Sequence, residues 1–271
     1  MRPVKLVVCD IDNTLVVKHQ DLSERGRAAI REFHRRGILF GMASGRSVDQ
    51  LHNLESQWGI QCDLLIGFNG GEIYDGLKGT SEMLYMMEPQ WLKEAFEIMA
   101  PFAYHPYMLR DGRSLALDMD EYTAASQAYV KNATPIQQID HISEFWAAPA
   151  PKVGFRVKAE DMPAIEARAE AMRGEGYISF KTETTMYEFC NAKASKGTLL
   201  KDFCAQHGID MADVISFGDM TNDISLFEVS GISVCMANGS PDAKAAAQMI
   251  TEKGVEEDGW ADFVEKHILA G

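Results

Sequence analysis

Two aspartates stand where a buried strand runs out, and that junction limits the fold more than any other feature of the chain. In LVVCDIDNTL, Leu6 to Leu15, the apolar run Leu6-Val7-Val8 reads as a strand covered on both faces, followed by Asp10 and Asp12. Alternation along an extended backbone sends both carboxylates to one side while Ile11 points back into the core. Two like charges held that close repel unless a cation or a shared proton lies between them. Taken alone, the pair reads as a solvated acidic turn with Asn13 as its turn residue. Three later stretches supply what that reading lacks.

After this loop, Leu22 to Arg36 has helical spacing (Ala29, Ile30, Phe33), with Ser23 as N-cap and Gly37 as the stop. Ile38 to Ala43 is a second apolar strand, ending in Ser44-Gly45-Arg46. A helix from Ser47 to Trp58 leads to a third strand, Leu64 to Phe68, ending in Asn69-Gly70-Gly71. Strand and helix in alternation, with near-continuous apolar strands, predict an α/β fold: a Rossmann-like parallel sheet covered on both faces. Functional residues then gather at the C-terminal strand edge, where Asp10, Ser44 and Asn69 all fall.

The texture changes near Glu82. Helical spacing at Trp91–Met99 and Glu121–Lys131, short strands near His105–Leu109 and Ser114–Leu117, and the alternation Val153, Phe155, Val157 suggest an antiparallel sheet backed by helices. A helix at Met162–Arg173 and strands at Tyr177–Phe180 and Met186–Cys190 complete it. Residues 82–189 therefore read as an inserted α+β domain, with residues 1–81 and 190–271 as the core. The parallel pattern resumes with the helix Ser195–His207, the strand Val214–Phe217 ending in Gly218-Asp219, the helix Asn222–Val229 and the strand Ile232–Met236.

A net charge of −14 argues against nucleic acid or an anionic membrane as partner, since either demands a basic surface. The five cysteines are scattered without CxxC spacing, as in a reduced, cytoplasmic protein, and no apolar run has membrane-spanning length. The acidic balance still allows a small phosphorylated metabolite as partner, but only through a local cationic site or a metal, and the expected assembly is a monomer or homodimer.

If the sheet folds as above, Asp10, Asp12, Ser44, Lys196, Asp219, Asn222 and Asp223 converge: four carboxylates near one lysine, an arrangement that needs a divalent cation. All-oxygen ligation without a histidine cluster favours Mg²⁺. One carboxylate, Asp10, can attack the phosphorus of a monoester, while a second, Asp12, protonates the leaving alkoxide and later deprotonates water. Lys196 and Ser44 contact the remaining phosphate oxygens.

DIDNTL, the strand-end SGR, the lysine in ASKG and GDMTND together resemble the four motifs of the haloacid dehalogenase superfamily. The subgroup suggested by this resemblance is that of the Cof-type sugar phosphatases, whose cap is inserted between the second and third motifs; Asn69-Gly70, MANG and EDGWADFVEKHI resemble the same subgroup. The resemblance implies Asp10 as nucleophile and Mg²⁺ ligand, and Asp12 as acid/base offering its backbone carbonyl to the metal. It implies Asp219 as a direct ligand, Asp223 as one acting through water, and Asn222 as a phosphate or metal neighbour. Thr14 and the backbone amides around Ile11 would complete the phosphate cradle. Asn13 stands where the family usually has Gly, and its tolerance of left-handed angles preserves the loop. Ser44 stands where Thr is common and keeps the hydroxyl.

Beside these, Gly45 and Arg46 read as substrate contacts, with Arg46 equally readable as the partner of an acid. Asn69 reads as substrate contact or turn former. Glu188 and Asn191, with Tyr187, stand near the return from the inserted domain and read as leaving-group contacts, while alternation makes Tyr187 and Phe189 equally good core residues. The leading expectation is a Mg²⁺-dependent phosphatase of small phosphorylated metabolites, sugar phosphates or pyridoxal phosphate. A phosphomutase keeps the same aspartyl-phosphate, and a noncatalytic phospho-acceptor or metabolite-binding regulator would use Asp10 without needing Asp12.

Overall fold

The computed structural model describes residues 3–18, 20–118 and 135–270; the helix expected over Glu121–Lys131 lies outside the described residues. Strand β1 (Leu6–Cys9) is buried along its whole length, because it runs between parallel neighbours on both sides. The next elements are α1 (Glu24–Arg35), β2 (Leu39–Ala43), α2 (Val48–Trp58), β3 (Leu64–Gly67), β4 (Glu72–Asp75) and β5 (Thr80–Met83). Ser23 caps α1 by accepting from the Gly26 amide, and Ala29, Ile30 and Phe33 form its buried face.

Chain-wise contacts divide the protein into two units, residues 1–82 with 194–271, and residues 83–193. In the first unit, α5 (Lys196–His207), β12 (Val214–Gly218), α6 (Ile224–Val229), β13 (Ile232–Cys235), α7 (Pro241–Ala246), β14 (Met249–Ile250) and α8 (Gly259–His267) follow the return crossing. Its eight-stranded sheet has the order β14-β13-β12-β1-β2-β3-β4-β5, parallel from β14 to β3 and turning antiparallel at β4. The β4 and β5 strands carry no apolar run: β5 is TSEM and fully exposed, so no burial pattern marks it in the sequence. Trp260 of α8 packs edge-on against Phe33, Phe40 and Phe217, at centroid distances of 6.1–6.2 Å. Each such fully buried side chain contributes about 1.5–3 kcal/mol.

The second unit contains α3 (Pro89–Met99), β6 (Tyr104–Arg110), β7 (Arg113–Ala116), β8 (Ile136–Gln138), β9 (Lys152–Val157), α4 (Met162–Ala171), β10 (Tyr177–Glu183) and β11 (Met186–Asn191). Its sheet order is β10-β11-β9-β6-β7-β8, antiparallel except for β7 with β8, which pair in parallel. Val153, Phe155, Tyr187 and Phe189 face one apolar cluster with Leu92, Phe96 and Ile165 of the helices. The unit ends at residue 193, beyond the expected 189, because Cys190 and Asn191 still pair with β10 and the Ala192 amide donates to Gly176 O.

Candidate active site

Asp10 follows β1 directly, and its amide donates to Phe217 O of β12, which places its side chain at the C-terminal edge of the parallel strands. Lys196, the first residue of α5, reaches it there. Its Nζ lies 2.6 Å from Asp10 Oδ1 and 2.6 Å from Asp223 Oδ1, and the lysine is fully buried. Ser195 caps α5 by accepting from the Thr198 amide. Gly197 allows the helix to pass Ser225 closely: a Cβ there would lie 2.0 Å from Ser225 O. The glycine is therefore part of how the lysine reaches the carboxylates.

Asp223 is wholly enclosed. Its Oδ2 accepts from the amides of Asp219 (2.9 Å) and Met220 (3.1 Å), which folds the GDMTND loop back on itself. A Cβ on Gly218 would lie 2.4 Å from the Asp223 side chain, so this loop also depends on a glycine. Asp219 Oδ1 accepts from the hydroxyl of Thr14 at 3.1 Å. Thr14, assigned by resemblance to the phosphate cradle, thus has its proton committed to a neighbouring carboxylate. The Ile11 carbonyl closes the first loop by accepting from Thr14, Leu15 and Val16, and Asn13 takes φ +67, the left-handed angle expected of it.

Arg46 resolves to an acid partner in this structure. Its guanidinium grips Asp12 with Nη2 at 2.8 and 2.9 Å and Nε at 3.2 Å. Ser44 is buried; its hydroxyl accepts from the Arg46 amide at 3.3 Å across Gly45, and its carbonyl accepts from Asn69 N. Asn69 Oδ1 accepts from Asn222 Nδ2 at 3.1 Å, joining the third strand end to the GDMTND loop. Gly70 follows Asn69 at φ +107, where a Cβ would fall 2.3 Å from the Ser195 carbonyl. Gly70→Ala is expected to cost about 1–3 kcal/mol in backbone strain alone, before the clash is counted. A urea midpoint within error of the natural protein would count against this.

Glu188 and Asn191 are not among these contacts. Glu188 is buried in a 2.7 Å ion pair with Lys152, its second oxygen without a partner among the described residues, and Asn191 Nδ2 donates to Met86 O. Tyr187 is core, its hydroxyl 3.0 Å from that of Ser179. Glu72, unremarked in the sequence, accepts from the Val48 amide at 2.7 Å.

Asp10, Asp219 and Asp223 each offer an oxygen within 4.8 Å of the others. With one ammonium for three carboxylates, negative charge is in excess. Burial pushes the Asp10 carboxyl well above its ordinary range, with Lys196 pulling the other way and Asp223 and Asp219 adding to the rise. Burial and the Asp223 charge push Asp219 up to about 7. Burial would lower Lys196, but its two carboxylate partners outweigh it and hold the ammonium above its usual value. A cluster short of positive charge, built from oxygen donors only, fits a hard divalent cation such as Mg²⁺.

A family model described as haloacid dehalogenase-like hydrolase matches residues 7–264. Phosphatase YwpJ of Bacillus subtilis is 26% identical over 98% of this chain and 100% of its own. The B. subtilis 5-amino-6-(5-phospho-D-ribitylamino)uracil phosphatase YwtE is 25% identical over 99% of each. Among solved structures, a haloacid dehalogenase-like hydrolase from B. subtilis superposes with a TM-score of 0.84 at 21% identity, over 98% of this chain and 100% of that one. The subclass IIB sugar phosphatase BT4131 superposes at 0.80, with 18% identity over 97% and 98%. With the model spanning nearly its whole length, the chain belongs to the haloacid dehalogenase-like hydrolases, the family its four motifs resemble.

Proposed function

We propose that the protein is a Mg²⁺-dependent phosphatase of small phosphorylated metabolites, with sugar and polyol phosphates as the substrate class. The observation that carries this reading is the buried Asp10–Lys196–Asp223 contact at a strand end, with Asp219 beside it and Asp12 two residues on. The relatives named above as acting on a ribitylamino phosphate and on sugar phosphates support the substrate class.

The chain's own residues divide the work as follows. An oxygen of Asp10 bonds to phosphorus as the ester P–O bond breaks, and Asp12 gives its proton to the departing alkoxide. Water then returns a proton to Asp12 as its oxygen bonds to phosphorus; the Asp10–phosphorus bond breaks, releasing inorganic phosphate. Lys196 and Ser44 hold the phosphate oxygens, and the N-terminus of α5 favours the anion. Asp10, Asp219 and the Asp12 carbonyl would hold Mg²⁺, with Asp223, whose oxygens already have partners, acting through water. Bound there, the cation would neutralise the phosphoryl charge. The second unit acts as a cap that sets specificity and excludes water.

The test is phosphate release from a panel of sugar phosphates, nucleotides and pyridoxal phosphate, with Mg²⁺ or with EDTA. Release that requires Mg²⁺ is expected; silence across the panel would sink the reading, and an isomerised phosphate ester in place of free phosphate would mark a mutase.

Titration offers a second check. In the metal-free protein Asp219 stands at about 7 against an ordinary 3.8. A carboxyl raised in the folded state contributes stability that is complete below 3.8 and lost as pH climbs through about 7. A cation competes with that proton, so Mg²⁺ at one fixed concentration, about 100 times its Kd at pH 8, should raise Tm by roughly 5–10 °C near pH 8 and by far less near pH 5. Equal shifts at both pH values would count against a titrating carboxylate site.

A further inference from the structure

The turn after β3 touches three of the loops that carry the expected site residues, and Glu72 closes it. Phe68, Asn69 and Gly70 have φ of +48, +55 and +107, a run that two L residues adopt only where neighbours hold them. The holding contacts are visible. Phe68 N donates to Arg46 O at 2.8 Å and Asn69 N to Ser44 O at 2.9 Å, while Asn69 Oδ1 takes the Asn222 amide. Gly70 lies against the backbone of Ser195.

Glu72 then turns its carboxylate onto the start of α2. Val48 is the first residue of that helix, and its amide has no acceptor within the helix itself. Ser47 and Gln50 form a reciprocal capping box, which serves the amides of Gln50 and Ser47; Glu72 Oε2 takes that of Val48 from outside. Gly67 leaves the space for this junction, since a Cβ there would fall 3.0 Å from each of Arg46 O, Glu72 Oε2 and Val48 N. Two residues before Val48 stands Arg46, whose guanidinium holds Asp12 along one edge. A carboxylate has about four acceptor sites, so a bidentate guanidinium orients it while leaving capacity for a proton.

We propose that Glu72 is a positioning residue for phosphoryl transfer: its carboxylate pins the N-terminus of α2, and so keeps Arg46 where it orients Asp12 toward the leaving group. The proposal rests on the phosphatase reading and adds to it a residue that acts only through Val48 and Arg46. A capping role limited to stability would lower activity on every substrate alike. A role in orienting Asp12 has a chemical signature, because an alkoxide needs a proton to leave and a p-nitrophenolate does not.

The experiment compares kcat/KM for a sugar phosphate and for p-nitrophenyl phosphate, in the natural protein and in Glu72→Ala, Glu72→Asp and Glu72→Gln. kcat/KM reports the step in which the leaving group departs. Glu72→Ala is expected to lose about 10-fold or more on the sugar phosphate beyond its loss on the aryl phosphate. Glu72→Asp, equally charged but one methylene shorter, should shift the ratio the same way, which keeps the test decisive if the alanine variant folds poorly. Glu72→Gln, which retains an acceptor oxygen at the same reach, should restore the ratio to within about threefold. Equal losses on both substrates, or a glutamine variant as impaired as alanine, would overturn the inference while leaving the phosphatase intact. A natural protein inactive on both esters would overturn the phosphatase reading, and this inference with it.

Discussion

Replacing Asp10 with Asn is expected to lower phosphate release by at least about 10³-fold, the scale on which loss of a covalent nucleophile acts. The amide fills the same volume but cannot form the carboxyl–phosphorus bond, and Lys196 keeps Asp223 as a buried partner, so the protein should stay folded. Two measurements separate chemistry from folding. The thermal midpoint of Asp10→Asn should stay near that of the natural protein. Acid-quenched natural enzyme should also carry one phosphoryl group on the peptide containing Asp10, and the variant none. A variant that retains more than a few per cent of activity would show that another group attacks phosphorus.

The second large effect falls on stability as well as rate. Lys196 is fully buried between two carboxylates at 2.6 Å, and Lys196→Met fills most of its volume while removing the positive charge that holds both of them. Breaking a buried ion pair by removing one partner leaves uncompensated charge and costs about 3–5 kcal/mol. The variant should therefore unfold at lower urea, and Mg²⁺ should recover part of the loss by supplying positive charge to the same cluster. Its activity, measured where circular dichroism shows it folded, should fall by about 10²–10³-fold, as expected for removal of one charged donor to a phosphoryl group. Unchanged stability without metal would mean that the carboxylates are protonated and need no cation, contrary to the charge argument.

The strand ends were legible because burial writes itself locally. Leu6–Cys9, Leu39–Ala43 and Val214–Gly218 are largely apolar and stop at Asp10, Ser44 and Asp219, while Leu64–Gly67 reaches Asn69 one residue past Phe68, and each stop marks the same sheet edge. Ser23 announced the cap of α1 and accepts the Gly26 amide, whereas Ser47 and Ser195, read only as the starts of their helices, turn out to cap them in the same way. What failed to show has an equally local cause. The β5 strand is exposed and polar, so nothing in its pattern distinguishes it from a loop. Glu188 on a strand near the return crossing read as a substrate contact, whereas a lysine 36 residues earlier claims it.

The sequence by itself determined the parallel α/β core, the insertion, the left-handed Asn13 and the set of acids around one lysine. Each of these depends on periodicity, backbone freedom or residue type, which are properties of a short stretch of chain. Only the tertiary structure decided who bonds to whom: Thr14 to Asp219 across 205 residues, Arg46 to Asp12 across 34, and Glu72 to the start of α2 across 24. A hydrogen bond requires two groups at about 3 Å with the right angle, and which groups meet that condition is set by how loops from separate strands crowd together at one sheet edge. Partner choice at the site is for that reason a property of the packed fold.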